Sequence, residues 1–165
     1  MQRKRSLWKG FLAGAIGGLA ASFAMSQFHA LVQKEEPPTQ TSGEDSTVKV
    51  ASAVSRAMFH HELTPQEKKV AQPAVHYSFG TSVGAIYGTA VEFVPLLRTG
   101  WGLPFGTAVW LGAHVITVPA LGFSEPVTQS TPAKEAAEFG AHLVYGAVAE
   151  GIRRLLRAYV LSTGV

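Results

Sequence analysis

The chain has 165 residues, 47% of them hydrophobic and only 15% charged, with 17 glycines, a net charge of +3 and no cysteine. So apolar and glycine-rich a composition excludes an ordinary soluble domain. The lack of cysteine excludes disulfides, thiolate nucleophiles and Cys-type metal centres, and neither a cofactor nor a nucleic-acid partner is expected.

Arg3, Lys4, Arg5 and Lys9 precede an uncharged run from Gly10 to Gln33. That run exceeds the roughly 20 residues that cross a hydrocarbon core, so a first span is predicted over about 10–32. A cleaved signal peptide shares the basic start, but this apolar run is over-long and no clear small-x-small site follows it. Gly10, Gly14, Gly18, Ser22 and Ser26 put a small residue at every fourth position. Such ladders let helix backbones approach closely where lipid offers no hydrophobic contrast. A step of four drifts by about 40° per rung, so the ladder winds around its helix and favours crossing helices.

Glu35-Glu36-Pro37-Pro38 ends this helix, and 39–45 reads as a polar linker. Asp45 or Ser46 caps a short helix with Val50, Ala51, Val54, Ala57 and Met58 at helical spacing, lying on the outer membrane surface or over the bundle. Thr64-Pro65-Gln66-Glu67 is a capping box with proline at the first helical position. The stretch 33–73 is therefore expected as an external loop, a structured connector with a flexible linker and a short helix. His60 and His61 point in different directions and make a poor metal pair.

A second span over about 74–97 carries His76, Gly80, Gly84, Gly88 and Glu92 at spacing four, followed by Arg98. A third, over about 104–121, contains His114 within an uncharged run. In a fourth, over about 133–156, Glu138, His142, Glu150, Arg153, Arg154 and Arg157 share an arc of about 160°. A spanning helix and an amphipathic helix lying in the interface both satisfy that arc. Clustering of the arginines at one end, beyond an uncharged run from Phe139 to Ala149, favours the span.

The expected fold is all-α: an integral membrane bundle of four transmembrane helices forming one domain, plus the short amphipathic helix. Tyr87-Gly88-x-x-x-Glu92 recurs as Tyr145-Gly146-x-x-x-Glu150, and Gly10-x-x-x-Gly14 more faintly as Gly102-x-x-x-Gly106. Two duplicated hairpins account for this, and chance similarity between glycine-rich helices is the alternative. Four spans put every basic cluster on one side, which the positive-inside rule makes cytoplasmic together with both termini.

Ionisable residues inside a membrane are functional suspects. Glu92 and Glu150 lie near Arg98, Arg153 and Arg154 and are expected as interfacial ion-pair anchors. His114 and His142 fall about 13 to 15 Å deep by helical rise, near the midplane. Glu138 lies one turn from His142, and His76 and His29 mark the external ends of their spans. His114, Glu138, His142 and His76 thus form a candidate intramembrane polar site, able to relay a proton or simply to hydrogen-bond between helices. No metal site is expected, because zinc needs three or four convergent ligands. With no catalytic motif, an enzyme ranks last. A small proton- or solute-conducting protein comes first, and a structural or accessory protein that packs against partner helices is the alternative. The bilayer is the expected partner, with self-association through the glycine faces that carry Gly14, Gly18, Gly80, Gly84, Gly88 and Gly146.

From about Ala74 to Arg157 the chain resembles the YagU-like bacterial inner-membrane proteins, grouped as a domain of unknown function. The resemblance rests on His76, Tyr87-Gly88, Glu92 and Pro95; on Gly106, His114 and Pro119-Ala120-Leu121-Gly122; and on Glu138, His142-Leu143-Val144, Glu150 and Ile152-Arg153-Arg154. The stretch from Gln33 to Pro73 departs from it. The resemblance implies a multi-pass inner-membrane protein with some association with acid tolerance and no established activity.

Overall fold

The computed structural model describes residues 6–32 and 45–160. The basic start at Arg3, Lys4 and Arg5, the Glu35 to Pro38 breaker and the linker over 39–44 lie outside the described residues. What is described is all-helical, with no strand among the described residues. Helix α1 is Leu7–Val32, α2 is Ser46–Phe59 and α3 is Pro65–Phe93. Helix α4 opens as Leu103–Val109, widens to π-type winding over Trp110–Thr117 and closes with Val118–Ala120. Helix α5 is Pro132–Leu155, followed by a last wide turn, Leu156–Val160.

Local chemistry explains the boundaries. Asp45 accepts a hydrogen bond from Thr47 N at the start of α2. At α3 the Thr64 N donates to Glu67 at 2.7 Å, and the Thr64 hydroxyl accepts from Glu67 N. The backbone N–H and then the hydroxyl of Thr64, with His61 beside them, hold the Glu67 carboxyl down at about 2. The helix that starts there does not stop at Pro73 but continues to Phe93. Residues 65–73 are therefore its first turns, not the tail of a loop. Proline at 95 disfavours helical geometry at the preceding residue, and Val94 sits at φ −121°, ψ 84°. On α2 the stripe read as its apolar face is divided: Val50 and Ala51 are half-buried and Val54, Ala57 and Met58 are exposed, while Val48 and Ser55 are buried. Tertiary contact with α3 overrides the local pattern there.

Two segments of 26 residues, Leu7–Val32 and Pro95–Ala120, are long and apolar enough to cross a membrane, with mean hydropathies of 1.4 and 1.3. Helices α3 and α5 are less apolar, α3 because of His76, its glycines, hydroxyl residues and Glu92, and α5 because of its glutamates, His142 and arginines.

The helices meet backbone to backbone. A Cβ added at Gly14 would lie 2.8 Å from the Gly88 Cα, and one at Gly84 would lie 2.6 Å from the Gly18 Cα. No side chain fits between α1 and α3 at those points. The start of α4 crosses α5 in the same manner, a Cβ at Gly146 lying 2.8 Å from the Gly106 Cα. Gly102 is constrained twice, by a φ of 80° and by Gly146 and Glu150 against it. The registers correspond: Gly10 meets Gly88 as Gly102 meets Gly146, and Gly14 meets Gly88 as Gly106 meets Gly146. Between the two pairs, α1 packs on α5 through Gly17 against Ala149 and through Ala21, Met25, Ala141 and Tyr145. The lateral order is α3, α1, α5, α4. Helices α3 and α4 touch chiefly where the Tyr87 ring stacks on Phe105, with ring centroids 3.9 Å apart.

Gly84→Leu places a branched side chain against backbone that cannot move aside, and overpacking of this kind costs about 3 kcal/mol. A lower thermal unfolding temperature in detergent and lower accumulation in the membrane are expected; unchanged stability contradicts the crossing.

Candidate functional site

Polar side chains gather at the two ends of the bundle. One end, formed by the start of α1, the 95–102 turn and the end of α5, is basic. Glu150 there is completely buried, at 0% exposure. Its Oε2 accepts from Arg153 Nε at 2.6 Å and from the Tyr87 hydroxyl at 3.0 Å, and its Oε1 from Arg153 Nη2 at 2.8 Å and Arg154 Nε at 2.5 Å. A buried carboxylate is tolerable only when so paired and hydrogen-bonded. Glu92 receives Arg157 through two bonds of 2.8 Å, a bidentate fork, and also the Ser6 N–H at 3.1 Å. Arg154 reaches on to the Arg98 carbonyl and lies over the Trp101 ring, 4.5 Å from its centroid. Trp101 itself is held at φ 55° between two glycines of positive φ. The arginines of α5 therefore clamp α1, α3 and the 95–102 turn together.

Glu150 pairs with Arg153 and Arg154 as the i,i+3 and i,i+4 spacings indicate. Glu92 does not pair with Arg98. Pro95 ends α3 before a helical face could carry both residues, and Arg98 is left exposed on the turn. The last turn of α5 instead brings Arg157 over the junction of α1 and α3.

Histidines and carboxylates occupy the opposite end. His114 Nε2 lies 3.1 Å from Glu135 Oε2, and its ring centroid is 5.9 Å from that of His142. His142 donates from Nδ1 to the Glu138 carbonyl at 2.8 Å, so its Nδ1 carries the proton. The Glu138 carboxylate faces His29 Nε2 at 3.8 Å rather than His142. His76 stands apart, donating from Nε2 to the Ser22 carbonyl at 3.2 Å on the α1–α3 side. Of the four residues singled out in the sequence, then, His114 and His142 come together, the Glu138 carboxylate lies beside them but faces His29, and His76 stands elsewhere. By helical rise His114 sits six residues, about 9 Å, from the end of α4 at Ala120 and closer than that to the middle of the helix. Glu135 and His29 belong to the cluster and were missed. The spacing 135, 138, 142 on one helical face signals the first, but no local signal names His29, which arrives from another helix.

Between the ends lies an apolar layer. Tyr87, Phe105 and Tyr145 pack in succession, with Phe105 and Tyr145 centroids 5.8 Å apart, and the Tyr145 hydroxyl is taken by the Gly80 carbonyl at 2.6 Å. Neither of the two best-formed cavities is lined by a histidine or a carboxylate. Among the described residues no group of three His, Asp or Glu is arranged to hold a metal ion.

The pair at the basic end is open to a double-mutant cycle. Arg153→Met leaves the Glu150 charge buried and short of its principal partner, which costs about 3 to 5 kcal/mol. Adding Glu150→Gln should recover part of that loss in thermal unfolding, and strictly additive losses would contradict the coupling.

The sequence matches the family described as "Protein of unknown function (DUF1440)" over residues 27–151. The matched stretch takes in the region from Gln33 to Pro73, which the resemblance read from the sequence had excluded. No curated protein and no solved structure matches the chain.

Proposed function

The chain belongs to the DUF1440 family of proteins of unknown function, and on that premise we propose that it is a four-span inner-membrane protein serving as a close-packed structural or accessory component. The apolar segment Pro95–Ala120 supports the membrane part of this reading, because almost none of it is buried within the bundle. A core helix of a soluble protein would be covered, and a secretion signal would lie at the N-terminus. Phe11, Ile16, Leu19 and Phe23 on α1, Phe79 and Ile86 on α3 and Leu111 and Ile116 on α4 are exposed as lipid contact requires. Since α3 and α5 pack lengthwise on α1, a bilayer around α1 also surrounds them. Trp8, Trp101 and Tyr159 stand exposed at the basic end, a belt suited to the headgroup level, and with the arginines they favour cytoplasmic termini. The matching registers of the two glycine crossings favour duplicated hairpins.

One observation carries the functional part. The two polar clusters are separated by Tyr87, Phe105 and Tyr145, and neither of the two best-formed cavities is lined by a histidine or a carboxylate that could join them. A rigid bundle of that kind is suited to holding partners or membrane structure. Proton conduction is the second reading, favoured by the contact of His114 with Glu135 on one side and the His142 ring on the other, and by the nearby His29–Glu138 pair. Proteoliposomes with an internal pH dye separate the two. The accessory reading expects the wild-type protein to dissipate an imposed gradient no faster than empty vesicles. Faster decay that Glu138→Gln or His142→Gln abolishes would overturn it.

A further inference from the structure

The groove between α3 and α4 plays no part in the reading above. Because α3 packs on α1 and α4 on α5, the remaining faces of α3 and α4 stay apart. Two cavities of about 350 and 320 Å³ lie between them end to end, sharing Val83 and Ala108 in their linings. The first begins at Leu97 and Thr99 and the second reaches Thr117. From Pro104 to Thr117 along α4 is about 20 Å, most of the thickness of a hydrocarbon core of about 30 Å. The walls are aliphatic and aromatic, and their hydroxyls are engaged within the protein: Tyr87 with Leu97 and Glu150, Thr99 with the Leu96 carbonyl, Thr117 with the Gly112 carbonyl. Nothing along the trough asks for a polar ligand.

The mouth is different. Arg98 lies between the lining residues Leu97 and Thr99 and is exposed. Beside it Arg154, 36% exposed, bonds the Arg98 carbonyl and rests against exposed Trp101. The carboxylates of this end, Glu92 and Glu150, are taken by Arg157, Arg153 and Arg154. Surplus positive charge therefore sits at the opening of an apolar trough, at the level of the exposed tryptophans. An anion carrying a long hydrocarbon chain complements both parts.

We propose that the α3–α4 groove binds an anionic phospholipid, with one acyl chain along Val83 and Ala108 and the phosphate at Arg98. The proposal rests on the membrane reading. It explains why Trp101 and Arg154 are fixed together at the mouth: the clamp keeps the guanidinium of Arg154 at the headgroup level and Arg98 clear of the carboxylates.

The test uses the full chain in mild detergent, with thermal unfolding followed as phosphatidylglycerol, phosphatidylcholine or free glycerol phosphate is added. Phosphatidylglycerol is expected to raise the unfolding temperature by several degrees, and the other two are not. Ala108→Phe fills the trough without changing charge, and Gly112→Leu does so where an added Cβ meets nothing within 4 Å. Each should at least halve the lipid-induced shift, as should Arg98→Gln. An undiminished shift in both trough variants would overturn the proposal, because the lipid would then bind by charge elsewhere. An equal shift with phosphatidylcholine, or a wild-type dimer lost in Gly112→Leu, would also overturn it. A chain that partitions into vesicles without lipid selectivity fails this proposal alone, whereas one that does not enter vesicles fails the membrane reading.

Discussion

Everything in this bundle depends on glycine backbones meeting glycine backbones. At Gly14 and Gly18 on α1 and at Gly84 and Gly88 on α3, the hydrogen in place of a side chain points at backbone of the facing helix. Close approach of this kind gathers many weak dispersion contacts and lets Cα–H groups face carbonyl oxygens. In lipid, where burial of apolar surface gives little preference for one helix neighbour over another, such contacts decide which helices pair. Repetition of the same register where 102–106 crosses α5 gives the molecule two like crossings, with α1 and α5 joined between them.

That arrangement sets where polar groups can live. The crossings and the Tyr87, Phe105 and Tyr145 layer fill the middle, so most ionisable side chains sit toward the ends, and His142, buried midway along α5, is the exception. At the basic end the carboxylates are deeply buried and fully paired, and the pairs join four separate segments. At the histidine end the contacts are looser, including a 3.8 Å approach of His29 to Glu138. A tight, charged clamp at one end and a titratable cluster at the other suit a component held rigid in a membrane. The lateral opening between α3 and α4 follows from the same order of helices, since the two outer members share no glycine crossing.

Much of this was legible in the sequence because it depends on single-helix periodicity. The ladder from Gly10 to Ser26, the row from His76 to Glu92 and the Thr64-Glu67 capping box each read directly from spacing, and each marks the helix that carries it. What could not be read depends on which helices become neighbours. Glu92 finds Arg157 across the bundle because Pro95 turns Arg98 off the helix. Glu138 meets His29 from α1, and α2 turns Val48 inward instead of Val54 and Met58 because α3 offers it a surface there. The continuation of α3 through Pro73 is hidden because proline is an ambiguous stop: inside a helix it removes one backbone hydrogen bond and crowds the preceding turn, a local cost that the rest of a 29-residue helix absorbs.

The most direct measurement of the central crossing is solid-state NMR on protein labelled with ¹³C at glycine only, reconstituted in lipid bilayers. Close approach predicts carbon–carbon cross-peaks between Gly14 and Gly88 and between Gly18 and Gly84, pairs far apart in sequence. Resolved glycine signals that lack those cross-peaks would contradict it.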